Sequence, residues 1–299
     1  MKKPIWLLLF VLLFSNNLIA QQDFPKLTGP YFGMKLPGIK PEVFSSELPP
    51  LGLGFSFSYE GNEIFFTRGQ MIMVSKIEDN QWSQPQVAPF SGKYRDFDLT
   101  MSPDGSKIYF TSNRPIDQIG IAKKDFDIWV VNRTINGWSE PQNIGSPINT
   151  GISEVHPSVD QSGDMYFFRD SFTHKPDIFY SKYADGEYTV PVSLGDSINS
   201  EFSELDPFIA PDGSYLIYHS NREGGFGGND LYISFRHKDG SWGSTINMGV
   251  KINSALDELS GRVTSDSKYF FFLKYDMRKF KGQHYWVSAK IIEELRPKE

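Results

Sequence analysis

The chain has 299 residues, a formal net charge of −6, 15% aromatic residues and no cysteine. A modest acidic excess argues against nucleic acid or an anionic membrane as the partner, and the lack of cysteine excludes disulfides and thiol chemistry. A chain of this length buries a core large enough to be stable without disulfides. Its short apolar runs, separated by Gly and Pro every few residues, predict an all-β protein.

The N-terminus has the layout of a secretory signal peptide, assigned to residues 1–20. Lys2 and Lys3 precede the apolar run 5–14, and the small residue Ala20 precedes Gln21. The run is shorter than the roughly 20 residues that a membrane-spanning helix needs. Its removal takes away two lysines, so the remaining chain carries −8. We therefore expect a periplasmic or secreted protein without a membrane span.

Beyond residue 50 one unit recurs five times. The units align on a turn residue, and these anchors lie 44, 58, 50 and 54 residues apart at Gly61, Gly105, Gly163, Gly213 and Ser267. Each unit reads strand, tight turn, strand, variable loop, strand, turn and short outer strand, with apolar and polar residues alternating along the first strand. The sequence "SPDG" suits a tight turn with positive φ at glycine. The pattern is that of a four-stranded antiparallel blade.

The segments 102–114 and 211–222, followed by "DIW" and "DLY", resemble the WD-like repeat of TolB-type β-propellers. The resemblance covers residues 52–292 and implies a propeller with protein partners at the cell envelope. Five units predict a five-bladed ring, with a six-bladed TolB-like ring as the alternative. The N-terminal α/β domain of TolB has no counterpart in this chain, which puts a Tol–Pal role in doubt.

The fifth unit lacks its outer strand, and "GIKPEVF" (38–44) resembles the outer strands of other units. We therefore predict that the lead-in 21–50 completes the last blade and closes the ring, with the propeller at 51–292 and a tail at 293–299. Closing a ring of this size costs about 5 kcal/mol. Burial of Val43 and Phe44 at about 1.5–3 kcal/mol each, with a few ladder hydrogen bonds, offsets that cost.

The glycine-rich stretch "EGGFGGND" (223–230) raises the alternative of a phosphate-binding loop. It matches neither the P-loop pattern nor a dinucleotide-binding turn that opens a helix. We interpret it as a surface turn in which glycine supplies positive φ.

Candidate site residues come from columns of the repeat. Nine positions before the anchor, Asp96, Glu154, Glu204 and Glu258 recur, which favours a structural role with partners such as Arg114 and Arg222. If the hairpin is tight, position −7 pairs with +6, so His156 would lie beside Arg169 and Asp206 beside His219. Residues that differ between blades are better candidates for recognition. The predicted ligand-binding set is Asp98, His156, Arg169, Asp206, His219 and Arg262, with no catalytic or metal-ligating residue assigned.

These features favour a monomeric binding module that recognises an envelope protein or a carbohydrate at the loop-bearing mouth of the channel, without a cofactor. One alternative is a glycosidase or lyase that uses the channel carboxylates Asp98, Glu154, Asp206 and Glu258. Another is a structural calcium ion at the acidic mouth. Candidate contact residues are the loop aromatics Phe126, Phe172, Phe226, Tyr275 and Phe280.

Overall fold

The computed structural model describes residues 24–44, 51–171 and 174–298, so the expected signal peptide at 1–20 lies outside it. Five antiparallel sheets are arranged as the blades of a β-propeller, which confirms the predicted fold and blade number. Within the described residues, no helix has the length and apolar character needed to cross a membrane.

The strands follow the order of the repeats. The lead-in contains a 3-10 segment (Pro30–Gly33) and β1 (Glu42–Val43). The first blade comprises β2 (Phe55–Phe57), β3 (Glu63–Arg68), β4 (Met71–Glu78), β5 (Gln81–Trp82) and β6 (Gln86–Val87). The second comprises β7 (Asp96–Met101), β8 (Lys107–Ser112), β9 (Asp127–Thr134), β10 (Gly137–Trp138) and β11 (Gln142–Asn143).

The third blade comprises β12 (Ser153–Val159), β13 (Met165–Ser171), β14 (His174–Ser181) and β17 (Val192–Ser193), with a separate hairpin of β15 (Tyr183–Ala184) and β16 (Glu187–Tyr188). The fourth comprises β18 (Glu204–Ile209), β19 (Tyr215–Ser220), β20 (Asp230–Phe235) and β21 (Ile246–Asn247). The last comprises β22 (Asp257–Val263), β23 (Tyr269–Asp276) and β24 (Lys281–Ser288), followed by α1 (Lys290–Glu293).

The ring closes through β1, as the sequence predicts. Glu42 and Val43 pair with Trp286 and Tyr285 of β24, so the N-terminal segment is the outer strand of the last blade. The Phe44 amide donates to the His284 carbonyl at 2.8 Å, which extends the ladder by one bond. Phe44 is 2% exposed, but Val43 is 41% exposed, so its expected burial is wrong. The reason is that side chains alternate along a strand, and only one of two neighbours can face the core.

The lead-in also packs between the first and last blades, which the sequence did not indicate. Tyr31 and Phe32 are buried together with Phe44, Phe57 and Trp286 in one apolar cluster. The Trp82 indole donates to the Gly29 carbonyl at 2.8 Å, and the Tyr31 amide donates to the Gly61 carbonyl at 2.8 Å. The segment therefore holds the two blades at the ring junction together through side chains as well as through β1.

The glycine-rich loop between β19 and β20 packs against the neighbouring blade. Only Gly224 of its four glycines has the left-handed backbone expected there, with φ of 84°. A Cβ at Gly227 would lie 1.8 Å from the Leu256 carbonyl oxygen, and one at Gly225 would lie 2.5 Å from the Asp230 carboxylate. Asp230 in turn accepts hydrogen bonds from the amides of Phe226 and Gly227. Close approach of backbone, more than positive φ, requires glycine in this loop.

The closure strand yields a first prediction. Phe44→Ala should lower the free energy of unfolding by about 3–5 kcal/mol, because it empties a buried aromatic site at the ring junction. Val43→Ala is the matched control and should change it by less than about 1 kcal/mol, because the side chain is largely solvent-exposed. Urea titration followed by tryptophan fluorescence measures both values. Equal effects of the two substitutions would contradict the assigned role of Phe44.

The glycine-rich loop yields a second prediction. Gly227→Ala should destabilise the protein by several kcal/mol (about 2–4), since the new methyl group meets a backbone carbonyl that cannot rotate away. Gly151→Ala, in the connection between the second and third blades, meets nothing within 4 Å and is the control. Thermal unfolding of the two variants tests the difference. A Gly227→Ala protein as stable as Gly151→Ala would mean that the loop does not pack as described.

Candidate ligand-binding site in the central channel

Each repeated acid at the start of an inner strand is bound by a basic residue in the next strand or just after it. The Asp96 carboxylate receives Arg114 at 2.8 Å, Glu204 receives Arg222 at 2.9 Å, and Glu258 receives Lys274 at 3.4 Å. Arg169 donates to Glu154 at 3.2 Å and belongs to the same series. All four acids have 0% exposure. The structural role predicted for Arg114 and Arg222 is thus observed, and Arg169 shares it.

We call each of these buried contacts between a repeated acid and its basic partner a clamp. Three of the clamps include a sequence motif that the repeat columns did not reveal. The pattern I-N-[ST]-x3-E occurs at 148–154, 198–204 and 252–258. In each copy the Ser or Thr hydroxyl donates to the Glu carboxylate, as Ser200 does to Glu204 at 2.6 Å. The Asn side chain bonds the backbone of a third strand, as Asn199 does with Ile178. The motif ties the connection between blades to the next inner strand, and its threefold recurrence could have exposed it.

The predicted pairing of position −7 with +6 is wrong. Arg169 lies opposite Glu154, and His219 lies opposite Leu205. A β-bulge adds one residue to the inner strand between Val155 and Ser158, and the same bulge recurs in the second, fourth and fifth blades. An extra residue on one strand shifts the register by one, which accounts for His219, and re-aims the side chain at the bulge. In the third blade Ser158 pairs with Tyr166, already one residue out of the predicted register, so Arg169 is displaced by two.

The bulge residue in each of these blades has a left-handed backbone. The φ angles are 46° at Asp98, 54° at His156, 51° at Asp206 and 51° at Ser260. Non-glycine residues seldom adopt this conformation, and Asp and His are among those that tolerate it best. In the first blade Gly54 takes the position, where a Cβ would lie 3.0 Å from the Asp98 Cα. The bulge therefore presents four polar side chains from four blades.

These side chains meet on the propeller axis. His156 Nδ1 lies 3.1 Å from Asp206 Oδ1 and 3.7 Å from Asp98 Oδ2. The Ser260 hydroxyl donates to Asp206 Oδ2 at 2.8 Å, and His219 Nδ1 lies 3.6 Å from the same oxygen. Sequence reasoning placed Asp98, His156, Asp206 and His219 in one set, and the structure brings them together. Sequence reasoning missed Ser260. The only signal for it was its position seven residues before the anchor, which Asp98, His156 and Asp206 share.

Arg262 reaches the same point from the fifth blade. Its Nη1 donates to the carbonyls of Phe55, in the first blade, and Leu99, in the second, the latter at 3.3 Å. Its Nη2 lies 3.4 Å from His156 Nε2. Arg262 therefore contacts three other blades and joins the predicted set, whereas Arg169 lies apart from it in the clamp of Glu154. We call Asp98, His156, Asp206, His219, Ser260 and Arg262 the axial cluster.

Burial and neighbouring charge divide the titratable groups of the axial cluster. Burial alone would lower the pKa of His156, but Asp206 and Asp98 outweigh it and raise that pKa to about 9. Burial lowers the pKa of His219 despite the nearby Asp206. Burial likewise lowers the pKa of Arg262, to about 10, which leaves it charged at neutral pH. The negative charges of Asp98 and Asp206 and the positive charges of His156 and Arg262 therefore nearly cancel. His219 is neutral.

His284 is a further buried imidazole next to the axial cluster. Its ring packs edge-on against Phe55 with centroids 5.3 Å apart, and its Nε2 has no hydrogen-bond partner among the described residues. Burial and the charge of Arg262 lower its pKa to about 4. Nothing in the sequence distinguished this histidine, because its strand position resembles that of ordinary core residues.

A cavity of about 40 Å³ adjoins the axial cluster. Its walls come from the inner-strand halves that lead into the hairpin turns, including Pro103, Pro211 and Ser265 of the turns themselves. It therefore extends toward the mouth ringed by hairpin turns, opposite the mouth that carries the long loops. Among the described residues, no group of three or more His, Asp or Glu side chains has a metal-binding arrangement.

Comparisons with solved structures agree on the fold. A protein assigned as TolB from Agrobacterium tumefaciens is similar over 79% of this chain and 76% of its own, at 15% identity and a TM-score of 0.55. TolB from Acinetobacter baumannii gives 15% identity and a TM-score of 0.47 over 75% of this chain and 52% of its own. An endo-arabinase from Bacteroides thetaiotaomicron gives 14% identity and a TM-score of 0.48 over 87% of this chain and 96% of its own.

At 15% identity, the similarity with a TM-score of 0.55 shows the fold alone, a β-propeller. No family model matches the sequence, and no curated protein sequence matches it. The TolB-type resemblance of the repeats is therefore supported at the level of the propeller architecture.

The raised pKa of His156 predicts how stability depends on pH. Because the folded pKa of about 9 exceeds the unfolded value of 6.5, this residue stabilises the fold fully below pH 6.5 and loses that effect as pH rises through 9. The free energy of unfolding should fall by about 2–3 kcal/mol between pH 6.5 and 9. The pKa values of His219 and His284 are lowered in the folded state. These two residues therefore reduce stability only as the pH falls below 6.5.

Urea unfolding at several pH values, with the wild type and His156→Gln compared, measures the effect. The variant should show little change over the same range, because the imidazole whose charge is stabilised by Asp206 and Asp98 has been removed. A wild-type protein whose stability is constant from pH 6.5 to 9 would contradict a charged His156.

Proposed function

We propose that this propeller is an exported binding module whose loop-bearing face recognises a protein in the cell envelope. The observation that carries the proposal is a stretch of exposed aliphatic side chains in the loop 113–126 between β8 and β9. Ile116 is 73% exposed, Ile119 83% and Ile121 93%. Three large aliphatic side chains in six residues are unusual on a soluble surface and favour a protein contact.

The loop is held in one conformation by polar bonds that leave these side chains free. The Asp117 carboxylate accepts from the amides of Ile119 and Gly120 at 3.1 and 3.3 Å. The Tyr94 hydroxyl donates to the Gln118 carbonyl at 2.9 Å, and the Gln118 side-chain Nε2 donates to the Pro141 carbonyl at 2.8 Å. A surface ordered before binding loses less conformational entropy when a partner docks. The isoleucines contribute little to the fold, which leaves recognition as their use.

Other loops add apolar groups to the same face. Phe226 and Phe280, from the fourth and fifth blades, are 47% and 62% exposed. Phe126 and Tyr275 are half-buried, and Phe172 lies outside the described residues. Loops between the second and third strands of each blade share one face of a propeller, so these side chains surround the mouth that the isoleucines flank. Aliphatic groups do not stack on sugar rings, which favours a protein over a carbohydrate ligand.

The enzyme alternative has less support. A glycosidase needs two carboxyl groups about 5–9.5 Å apart that both reach the substrate. Burial raises the pKa of Glu154, the direction expected for a general acid, but its carboxylate is fully buried and accepts from Thr150 and Arg169. Asp206 is engaged by His156 and Ser260. Glu258 is likewise paired with a basic residue, Lys274. These contacts favour structural carboxylates over a catalytic pair.

The test places a photo-crosslinking amino acid, p-benzoylphenylalanine, at position 119 of the full chain in cells of the producing organism. Ile135 is a matched control, because it is 100% exposed but lies in the turn between β9 and β10 on the opposite face. The expected result is a discrete protein adduct from position 119 and none from 135. With the identified partner, Ile119→Ser should weaken binding by about 1.5–3 kcal/mol, the burial value of one isoleucine. Equal adducts at both positions would overturn the proposal.

A second arm addresses catalysis. Incubation of the wild type with plant and bacterial polysaccharides should release no reducing ends above a protein-free blank. Turnover that Asp206→Asn abolishes, while the variant keeps the wild-type circular dichroism spectrum, would instead establish the glycosidase alternative.

A further inference from the structure

The cavity at the hairpin-turn mouth has a floor of two basic groups. Among the described residues that line it, His156 and Arg262 are the only ones with ionisable side chains, and no carboxylate is present. His156 contacts Asp98 and Asp206 through Nδ1, whereas its Nε2 faces Arg262. His156 and Arg262 therefore lie between the cavity and the carboxylates of the axial cluster. The charged groups that line the cavity are thus both positive.

At this floor Arg262 has one donor without an acceptor, and His156 lacks an acceptor at Nε2 when its imidazole is charged. Arg262 is 8% exposed, and its buried Nε has no hydrogen-bond partner among the described residues. His156 is 6% exposed, and its Nε2 has only Arg262 Nη2 as a neighbour, at 3.4 Å. When His156 is protonated both of these atoms carry hydrogens, so neither satisfies the other and two like charges lie in contact. A buried donor without an acceptor and a like-charge contact are both unfavourable, and an anion removes both.

The walls of the cavity define what is attached to that anion. They combine apolar side chains, among them Met101, Val159, Ile209 and Val263, with the hydroxyl residues Ser56, Thr100, Ser158 and Ser265. Ser158 accepts from the Ile209 amide at 3.0 Å and Ser56 from the Met101 amide at 3.4 Å, which leaves the hydrogens of both hydroxyls available to donate. About 40 Å³ accommodates roughly three water molecules, a space that a planar carboxylate head fits. The walls thus offer contact to an apolar group together with hydroxyls that can donate to a carboxylate.

We propose that this cavity binds a monovalent carboxylate carried on an apolar group, with Arg262 and His156 as the two donors. A flat two-oxygen anion suits a guanidinium, which favours paired hydrogen bonds with carboxylates. A dianion fits less well, because the axial cluster is already balanced and two extra negative charges would face Asp98 and Asp206. The ligand enters from the hairpin-turn mouth, so the site is distinct from the proposed protein-binding face and independent of it.

Two sources supply this chemistry, a free short-chain carboxylic acid and the C-terminus of a peptide that ends in an aliphatic residue. The experiment uses sodium butyrate, its neutral amide butyramide, and an acetylated tripeptide ending in valine with either a free or an amidated C-terminus. Binding is followed by NMR through the Nε–H resonance of Arg262 in the full chain, and affinities come from calorimetry.

The wild type should bind butyrate or the free-acid peptide, with a shift of the Arg262 resonance, and the amides should bind roughly tenfold to a hundredfold more weakly. Tighter binding of the peptide points to a peptide C-terminus, and tighter binding of butyrate points to a free acid. Equal affinity for butyrate and butyramide, or no binding of any carboxylate at millimolar concentration, overturns the proposal.

Two variants locate the site. Arg262→Met should lose carboxylate binding by a similar factor, but it also removes a buried structural contact. Thr100→Phe fills the cavity from the wall and leaves the axial cluster intact, so it should abolish binding while the fold is retained. Thr134→Phe, at the exposed end of β9, is the steric control and should bind as the wild type does. Carboxylate binding by Thr100→Phe at wild-type affinity would place the ligand elsewhere and overturn the assignment.

Discussion

Closure of the ring by β1 sets the position of everything on the propeller axis. Arg262 belongs to the fifth blade, yet it donates to the carbonyls of Phe55 and Leu99 in the first and second. Those contacts exist only when the ends of the chain are joined. The junction is held by the short β1–β24 ladder and by an apolar cluster that includes Phe44, Tyr31 and Trp286. Because hydrophobic burial is the larger of these two contributions, the side chains of the lead-in secure the ring more than its hydrogen bonds do.

Two kinds of buried charge are present, and they differ in what they do. The clamps of Asp96, Glu154, Glu204 and Glu258 recur from blade to blade and connect the segment between blades to the inner strand. The axial cluster is not repeated, since the bulge position holds Gly54, Asp98, His156, Asp206 and Ser260 in the successive blades. Buried ion pairs add little net stability, because desolvation offsets most of their attraction. Their consequence here is geometric, as opposite charges from four blades are held at one point.

The two ends of the channel offer different chemistry. The loop-bearing face presents exposed aliphatic side chains on a loop fixed by hydrogen bonds to Asp117 and Gln118. The hairpin-turn mouth presents a small cavity of mixed apolar and hydroxyl walls, with His156 and Arg262 at its floor. The axial cluster separates them, so a ligand at one end does not need to pass the other. A propeller with this arrangement can hold a protein on one face and a small anionic group on the other.

The sequence by itself determined the number of blades, the tight turns and the closing strand, because alternation and turn chemistry act over a few residues. It also identified Arg114 and Arg222 as partners of repeated acids, since a recurring pair signals a recurring contact. Tertiary structure alone decided the register at the bulge, which placed Arg169 on Glu154 and turned His156 toward Asp206. It also decided that Ser260 and His284 belong near Arg262. A bulge breaks the alternation of a strand at one residue, which a short strand pattern does not locate. The meeting of four blades depends on chain segments more than a hundred residues apart, as between His156 and Arg262.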